Sequence, residues 1–173
     1  MRKVLHILGH FNDDDIEWML EVGSSKELAD GTTLIAVGDK LDELYFVTAG
    51  EFSVELPDGT KLAKLLTGEI LGEMSFLEKE PPSVAVKATA EGRVFAIEHE
   101  DIHERFRDEP AFEGRLFRAL ALFLSHRLRG TTSKLGYGKA EKADEIDETE
   151  IDTATLQRIQ LAGDRFNRLL RQL

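Results

Sequence analysis

Cysteine is absent from the chain, which excludes disulfide bonds and thiolate metal sites. No apolar run approaches the roughly 20 residues that a membrane-spanning helix needs. Positive charge is in the minority, because 22 basic residues against 33 acidic ones give a formal net charge of −11 over 173 residues. Since this average field repels a polyanion, nucleic acid is not an expected partner. These features predict a cytoplasmic protein that binds neither membranes nor nucleic acids.

The chain begins with two short helical patterns. Residues 1–11, MRKVLHILGHF, are apolar at helical spacing, but His6 and His10 interrupt the pattern and no small-residue cleavage site follows. Asn12 is suited to cap a second helix, whose first turn is acidic. Gly23 is suited to end that helix.

Between about residues 28 and 97 the sequence changes to short β-prone runs separated by turn signals. Pro57-Asp58-Gly59 is a strong hairpin signal, because glycine readily supplies the positive φ of such a turn. Many short strands at nearly regular spacing predict a small antiparallel barrel or sandwich. The runs are TTLIAV, ELYFVTA, EFSVEL, TKLAKLL, SVAVKATA and RVFAI.

Helical periodicity returns after Ile97. It predicts a short helix from residue 99 that stops at Pro110, and then a longer helix over residues 111–129 with a wide apolar stripe. An acidic, solvated linker is predicted over residues 136–154, which separates a domain over 1–135 from a terminal helix over 155–173. That helix is expected to pack on its own domain, to join a dimer or to dock on another protein.

The order of glycines and acidic turns resembles the cyclic nucleotide-binding domains of Crp/Fnr-type regulators and of protein-kinase regulatory subunits. The resemblance covers about residues 10–135. It implies a mostly β fold with flanking helices, namely a jelly-roll-like double-stranded β-helix (β-roll) followed by long C-terminal helices, with a nucleotide buried under a phosphate-binding cassette. The residues that carry it are Gly31, Gly38, Asp39, Leu44–Val47, Gly50, Pro57–Gly59, Gly68, Glu69, Gly72 and Glu73.

The segment GEMSFLEKEPPSVAVK, residues 72–87, corresponds to the cassette. Gly72 lets the backbone approach a ligand closely, and Glu73 is suited to accept a hydrogen bond from a ribose hydroxyl. A short helix predicted to start near Met74 directs its free N–H groups at the space in front of it, which favours an anion. Ser75 completes the candidate ligand-binding residues at the cassette start.

The cassette departs from the family pattern after its proline corner. In the family the sequence Pro-Arg-Ser/Ala follows, and its arginine neutralises the cyclic phosphate; here Pro82 stands in the position of that arginine. Ser83 matches the phosphate-contacting hydroxyl, and Val84 follows it as a further candidate. Loss of one charged hydrogen bond predicts roughly 10- to 100-fold weaker phosphate binding. Lys87 is offset by one from Val86 and is predicted to face the opposite side of its strand.

The end of the long helix supplies the last candidates. The segment HRLRGTTSK, residues 126–134, resembles the Arg-Leu-x-x-Thr-Ser segment of catabolite-activator-like proteins, which approaches the purine and the partner subunit. The resemblance implies a ligand contact from Arg127 and purine-edge hydrogen bonds from Thr131 and Thr132. The alternative is a basic helix C-terminus favoured by the helix dipole. Gly130 breaks a helix more readily than the residue usual at this position in the family, and the predicted helix ends at about Arg129.

Residues 99–103 spell HExxH, a zinc-protease pattern in which two histidines one turn apart bind the metal. The segment directly follows a strand, and Pro110 ends its helix within a few residues. A charged helix face is therefore the preferred interpretation, and no catalytic residue, metal or cofactor is predicted.

Two functions remain open. The first is a non-enzymatic sensor that binds cAMP, cGMP or another cyclic nucleotide, weakly or atypically because of Pro82, and signals through its C-terminal helices to a separate protein. The second is a ligand-free dimeric scaffold with a degenerate cassette. The wide apolar stripe over residues 111–129 predicts a homodimer. An acidic linker and a single helix stand where a helix-turn-helix would follow in a transcription factor, so DNA-binding regulation is not expected.

Overall fold

The computed structural model describes residues 9–134 together with residues 161, 163–165 and 167. The predicted helical pattern over residues 1–11 therefore lies mostly outside the described residues. The same holds for the acidic linker over residues 136–154 and for most of the predicted terminal helix.

Helix α1 (Asp13–Val22) begins and ends as the sequence predicts. The backbone N–H of Asp15 donates to the side-chain oxygen of Asn12 at 2.7 Å, and the backbone N–H of Asn12 donates to the Asp15 carboxylate at 2.9 Å. This reciprocal capping box satisfies two of the donors that a helix start leaves unpaired. The helix ends at Gly23, whose backbone is extended, and a Cβ at this position would lie only 2.1 Å from the Phe95 ring.

Eight strands in the described residues form two four-stranded sheets in which every strand pair is antiparallel. The first sheet has the order β1-β8-β3-β6 and the second has the order β2-β7-β4-β5. The predicted β-roll is confirmed. The strands are β1 (Ser24–Leu28), β2 (Thr33–Ile35), β3 (Glu43–Ala49), β4 (Glu51–Glu55), β5 (Lys61–Leu66), β6 (Ile70–Leu71), β7 (Ala85–Ala88) and β8 (Gly92–Glu98).

Strand β3 contributes side chains to two hydrophobic clusters, one on each of its faces. Leu44 and Phe46 point into a cluster between the first sheet and the helices, whereas Tyr45 and Val47 point into the cluster between the two sheets. Because both faces of this strand are covered, its sequence is continuously apolar rather than alternating. The cluster between the sheets forms the floor beneath the predicted cassette.

Between residues 9 and 134 a short helix α2 (Glu73–Glu78) lies between β6 and β7, and the sheets are followed by α3 (His99–Asp108) and α4 (Pro110–Lys134). Pro110 does not only end α3; it occupies the first position of α4, where a missing N–H costs nothing. The predicted apolar stripe is buried at Phe112, Leu116, Leu120 and Phe123.

Helix α4 runs through Gly130 to Lys134, so the predicted end near Arg129 was wrong. The hydroxyls of Thr131 and Thr132 donate to the carbonyl oxygens of Arg127 and Leu128 at 3.0 and 3.1 Å. A helix interior tolerates one glycine at a cost of about 1 kcal/mol, and this glycine does not end the α-helical conformation.

Ion pairs join α1 to α4 and to the terminal segment. The Arg115 guanidinium donates two hydrogen bonds, of 2.6 and 2.7 Å, to the fully buried Asp15 carboxylate. Arg165, which is buried, donates from Nε to Asp13 at 3.0 Å and from a terminal nitrogen to the carbonyl oxygen of Phe11. The terminal helix was expected to pack on its own domain, to join a dimer or to dock on another protein, and the Arg165 contacts are with its own domain.

None of the helices in the described part of the chain is long and apolar enough to span a membrane.

Candidate functional site

The cassette begins at a left-handed glycine. Gly72 has φ +84° and a Cβ added there would lie 2.8 Å from the carbonyl oxygen of Glu43, so both its conformation and its surroundings require glycine. It caps helix α2 (Glu73–Glu78), and its carbonyl oxygen accepts from the Phe76 amide at 3.0 Å. The short helix predicted here is confirmed.

Phe76 anchors α2 to the rest of the domain. Its ring is buried and contacts the rings of His99 and His103, with centroid distances of 5.0 and 5.5 Å. These are the two histidines of the HExxH pattern, and both rings pack against this phenylalanine. Burial lowers the pKa of His99. Within the described residues no group of three potential ligand side chains is placed to hold a metal ion.

The proline corner is fixed by a backbone hydrogen bond. The carbonyl oxygen of Pro82 accepts from the Gly38 amide at 2.9 Å. Beyond the corner, β7 directs Val86 into the core, while Lys87 points the other way and pairs with Glu55 at 2.8 Å. The predicted orientation of Lys87 is therefore confirmed, and this lysine does not face the cassette.

A cavity lies between the cassette and the cluster that separates the two sheets. It is partly open to solvent, and the volume accessible to the centres of water-sized molecules inside it is about 110 Å³. Its floor is apolar and is formed by Ile35, Leu41, Val54, Leu65, Leu71 and Val86. Sequence reasoning missed these six residues as a site, although the alternation along β4 and β7 already pointed Val54 and Val86 inward.

Most of the predicted site residues line this cavity. Thr131 and Thr132 do not; they lie further along α4, with their hydroxyls bound to backbone carbonyls of the same helix. The predicted residues that the cavity brings together are Gly72, Glu73, Met74, Ser75, Pro82, Ser83, Val84 and Arg127.

The charge of the cavity wall is negative. Among the described lining residues, Glu73, Glu78 and Glu80 are acidic and Arg127 is the one basic side chain. A cyclic phosphate entering this cavity would therefore meet three carboxylates and one guanidinium.

Arg127 connects the long helix to the cassette. Its Nη1 donates to the Glu73 carboxylate at 2.5 Å, and its Nη2 donates to the Ile70 carbonyl oxygen at 3.3 Å and lies 3.6 Å from the Glu69 carboxylate. The guanidinium also lies over the Phe123 ring, 4.8 Å from its centroid. Sequence reasoning predicted Arg127 as a ligand contact but not its pairing with Glu73, because 54 residues separate the two and no local pattern joins them.

Glu73 is the most buried carboxylate of the cavity, with a side chain only 4% exposed. Desolvation raises its pKa, the Arg127 charge opposes this rise, and nearby Glu69 adds to it. The cavity wall thus contains a buried acid whose ionised form depends on a guanidinium from another element.

Chemically, the arrangement is suited to binding. The cassette offers backbone amides, the hydroxyls of Ser75 and Ser83, one buried carboxylate and one guanidinium over an apolar floor. An apolar cavity with a few convergent polar groups is the common form of a small-molecule site.

Comparison with known proteins agrees with this geometry. The sequence model described as "Cyclic nucleotide-binding domain" matches residues 25–109. Glutaminase 1 of Bradyrhizobium diazoefficiens is 32% identical over 130 residues, which are 75% of this chain and 21% of that protein. The cAMP-activated global transcriptional regulator Vfr of Pseudomonas aeruginosa is 28% identical over 109 residues, which are 61% of this chain and 51% of that protein.

Among solved structures, a cyclic nucleotide-binding domain from Methylobacillus flagellatus superposes with a TM-score of 0.70 at 20% identity. The superposition covers 80% of this chain and 84% of that one, and it shows a shared fold. The chain spans about a fifth of the length of the first curated relatives it matches.

Proposed function

Because this chain belongs to the cyclic nucleotide-binding domain family, a family of regulatory domains, we propose that it is a non-enzymatic sensor that binds a cyclic nucleotide in the cavity beneath its cassette. The observation that carries the proposal is the open cavity itself. Bulky side chains could have collapsed the corner at Gly72, but instead an apolar floor and a polar rim enclose space for a ligand.

The residue roles follow from where the groups lie. The amides at Gly72–Ser75 and the Ser83 hydroxyl are proposed to donate to the cyclic phosphate, and Glu73 to accept from a ribose hydroxyl. The base is proposed to lie against the apolar floor. A relative described as cAMP-activated makes cAMP the first ligand to test.

Binding is proposed to be weak because the cassette lacks a guanidinium at Pro82. A hydrogen bond to a charged group contributes about 1.5–3 kcal/mol, so we expect an affinity roughly 10- to 100-fold below that of a cassette carrying the arginine.

Thermal unfolding with added nucleotide tests the proposal. A ligand that binds only the folded state raises its stability by about 2.7 kcal/mol at 100 times its Kd, so cAMP, cGMP or a cyclic dinucleotide at millimolar concentration should raise Tm. A Ser83→Glu variant should lose the response, because it adds a carboxylate to the cavity wall. Ser25→Glu adds the same charge on the exposed strand β1, outside the cavity, and should keep it. No shift with any of these nucleotides would refute the proposal.

The alternative is a dimeric scaffold that binds no ligand, and the acidic cavity wall favours it. Both functions are proposed to involve a homodimer through α4, whose side chains Leu128 and Phe117 are 65% and 39% exposed. Light scattering, which measures the molar mass in solution, tests this interface. Leu128→Glu should shift a dimer toward monomer, whereas the same mass for the wild-type protein and the variant would exclude the interface.

A further inference from the structure

The charged side chains that line the cavity are mostly negative, which is unfavourable for a cyclic phosphate. A cyclic phosphate carries a negative charge, and three of the four charged side chains lining the cavity in the described residues are carboxylates. Transfer of an unpaired charge out of water is costly, so the phosphate needs a counter-charge close by. Pro82 supplies none, and Lys87 points to the opposite side of its strand, where it pairs with Glu55.

Arg127 is placed to meet this need. Its side chain is 33% exposed, and the residue lines the cavity and so borders the space that a ligand would enter. Arginine has five N–H donors in a planar fork, and the contacts with Glu73 and Ile70 use its two terminal nitrogens. The fork geometry matches phosphate as well as it matches carboxylate.

We propose that Arg127 takes the role of the missing cassette arginine, by exchanging the Glu73 carboxylate for the phosphate of the bound nucleotide. This inference rests on the proposed function of the cavity. It differs from the expectation drawn from the family in one respect, since the charge that recognises the phosphate comes from the long helix α4 and not from the cassette.

Glu73 makes the exchange possible without leaving a buried negative charge. Once the guanidinium turns to the phosphate, the carboxyl group loses the nearest charge that keeps it ionised. Its burial, together with the proximity of Glu69, then favours the protonated form. A protonated carboxyl group donates one hydrogen bond and still accepts others, so it remains able to contact a ribose hydroxyl.

The test compares a ligand with the phosphate and one without it. Calorimetric titration gives the affinities of cAMP and adenosine, and their ratio isolates the contribution of the phosphate. We expect Arg127→Gln to lower this ratio by about 10- to 100-fold, the loss of one charged hydrogen bond. Arg129→Gln, which removes a charge from an exposed position on the same helix, should leave the ratio unchanged.

A second pair of variants avoids the misfolding that an unpaired Glu73 could cause. In Glu73→Gln the guanidinium remains, and in Glu73→Gln/Arg127→Gln two neutral amides replace the ion pair, so that no buried charge is left without its partner. The ratio should fall only in the double variant. Addition of Pro82→Arg to that double variant should restore it.

The outcomes separate the two proposals. If the wild-type protein prefers cAMP to adenosine and Arg127→Gln does so to the same degree, the role of Arg127 is overturned while the nucleotide site stands. If the wild-type protein binds neither ligand, the proposed function fails and this inference fails with it.

Discussion

Restoring the cassette guanidinium with Pro82→Arg is predicted to raise the affinity for cAMP. Pro82 lines the cavity, and its one backbone hydrogen bond uses its carbonyl oxygen, which accepts from Gly38 at 2.9 Å. Replacement of the proline keeps that acceptor, so the corner should keep its position. The entropy that the unfolded chain regains costs about 0.4–1 kcal/mol of stability.

The size of the gain follows from two opposing contributions. A charged hydrogen bond to the phosphate contributes about 1.5–3 kcal/mol. The new side chain also lies near the exposed carboxylates of Glu78 and Glu80, and an exposed ion pair with either would compete by about 0–1 kcal/mol. The net gain is therefore about 0.5–3 kcal/mol, or roughly 2- to 150-fold in affinity.

Calorimetric titration with cAMP and with adenosine measures this gain. The affinity for adenosine should change little, because the added charge meets no phosphate. Pro57→Arg serves as the matched control, since it makes the same substitution in the β4–β5 turn, outside the cavity. An unchanged affinity for cAMP, or an equal gain for adenosine, would refute the placement of the phosphate beside Pro82.

Three further predictions concern stability. Arg115→Met should lower the free energy of unfolding by about 3–5 kcal/mol in urea denaturation, because it leaves the fully buried Asp15 carboxylate without its counter-charge; Arg107→Met, in an exposed pair, should change it by less than about 1 kcal/mol. Burial lowers the pKa of His99 below its ordinary value of 6.5. Its contribution to stability is therefore present above pH 6.5 and is lost as the pH falls through the lowered pKa. Between pH 7.5 and 5 the free energy of unfolding should fall less in His99→Gln than in the wild-type protein, and an identical fall would contradict the argument. Lys79→Gly should raise the free energy of unfolding by up to about 1 kcal/mol, because Lys79 ends α2 with a φ of +59° that glycine adopts more readily, and a lower Tm would contradict it.

Local signals made the cassette predictable. A glycine before a helical run, a proline corner and a β-prone run each depend on a few adjacent residues, and each is found where the sequence placed it. Strand β1 was not predicted because its sequence, SSKEL, neither alternates nor contains β-branched residues, and its pairing with β8 is what defines it. Strand β6 has only two residues, too few to form a pattern.

The extent of α4 and the position of its arginine could not be deduced in this way. A glycine within a helical pattern is read as a probable end, but here the preceding turn is anchored by the ion pair of Arg127 with Glu73, and the helix continues to Lys134. The meeting of Arg127 with Glu73 depends on how α4 crosses the sheets, which is a property of the packed domain. Thr131 and Thr132 were predicted from a resemblance over the same segment, and the cavity that the described residues enclose does not reach them.

The placement of Arg127 also limits how strongly a ligand can act on α4. A ligand shifts a conformational equilibrium only by its difference in affinity for the two states. Arg127 is the one residue of α4 that lines the cavity in the described part of the chain, so its contact with the phosphate would carry most of that difference. The 10- to 100-fold contribution expected of it corresponds to about 1.4–2.8 kcal/mol, which is within the usual range of coupling free energies between sites.

A cassette arginine would bind the phosphate without contacting α4, so Pro82→Arg should strengthen binding while weakening the dependence of α4 on the ligand. Amide hydrogen exchange along α4, with and without cAMP, should therefore show a larger ligand effect in the wild-type protein than in Pro82→Arg; an equal effect would mean that the ligand acts on α4 by another route.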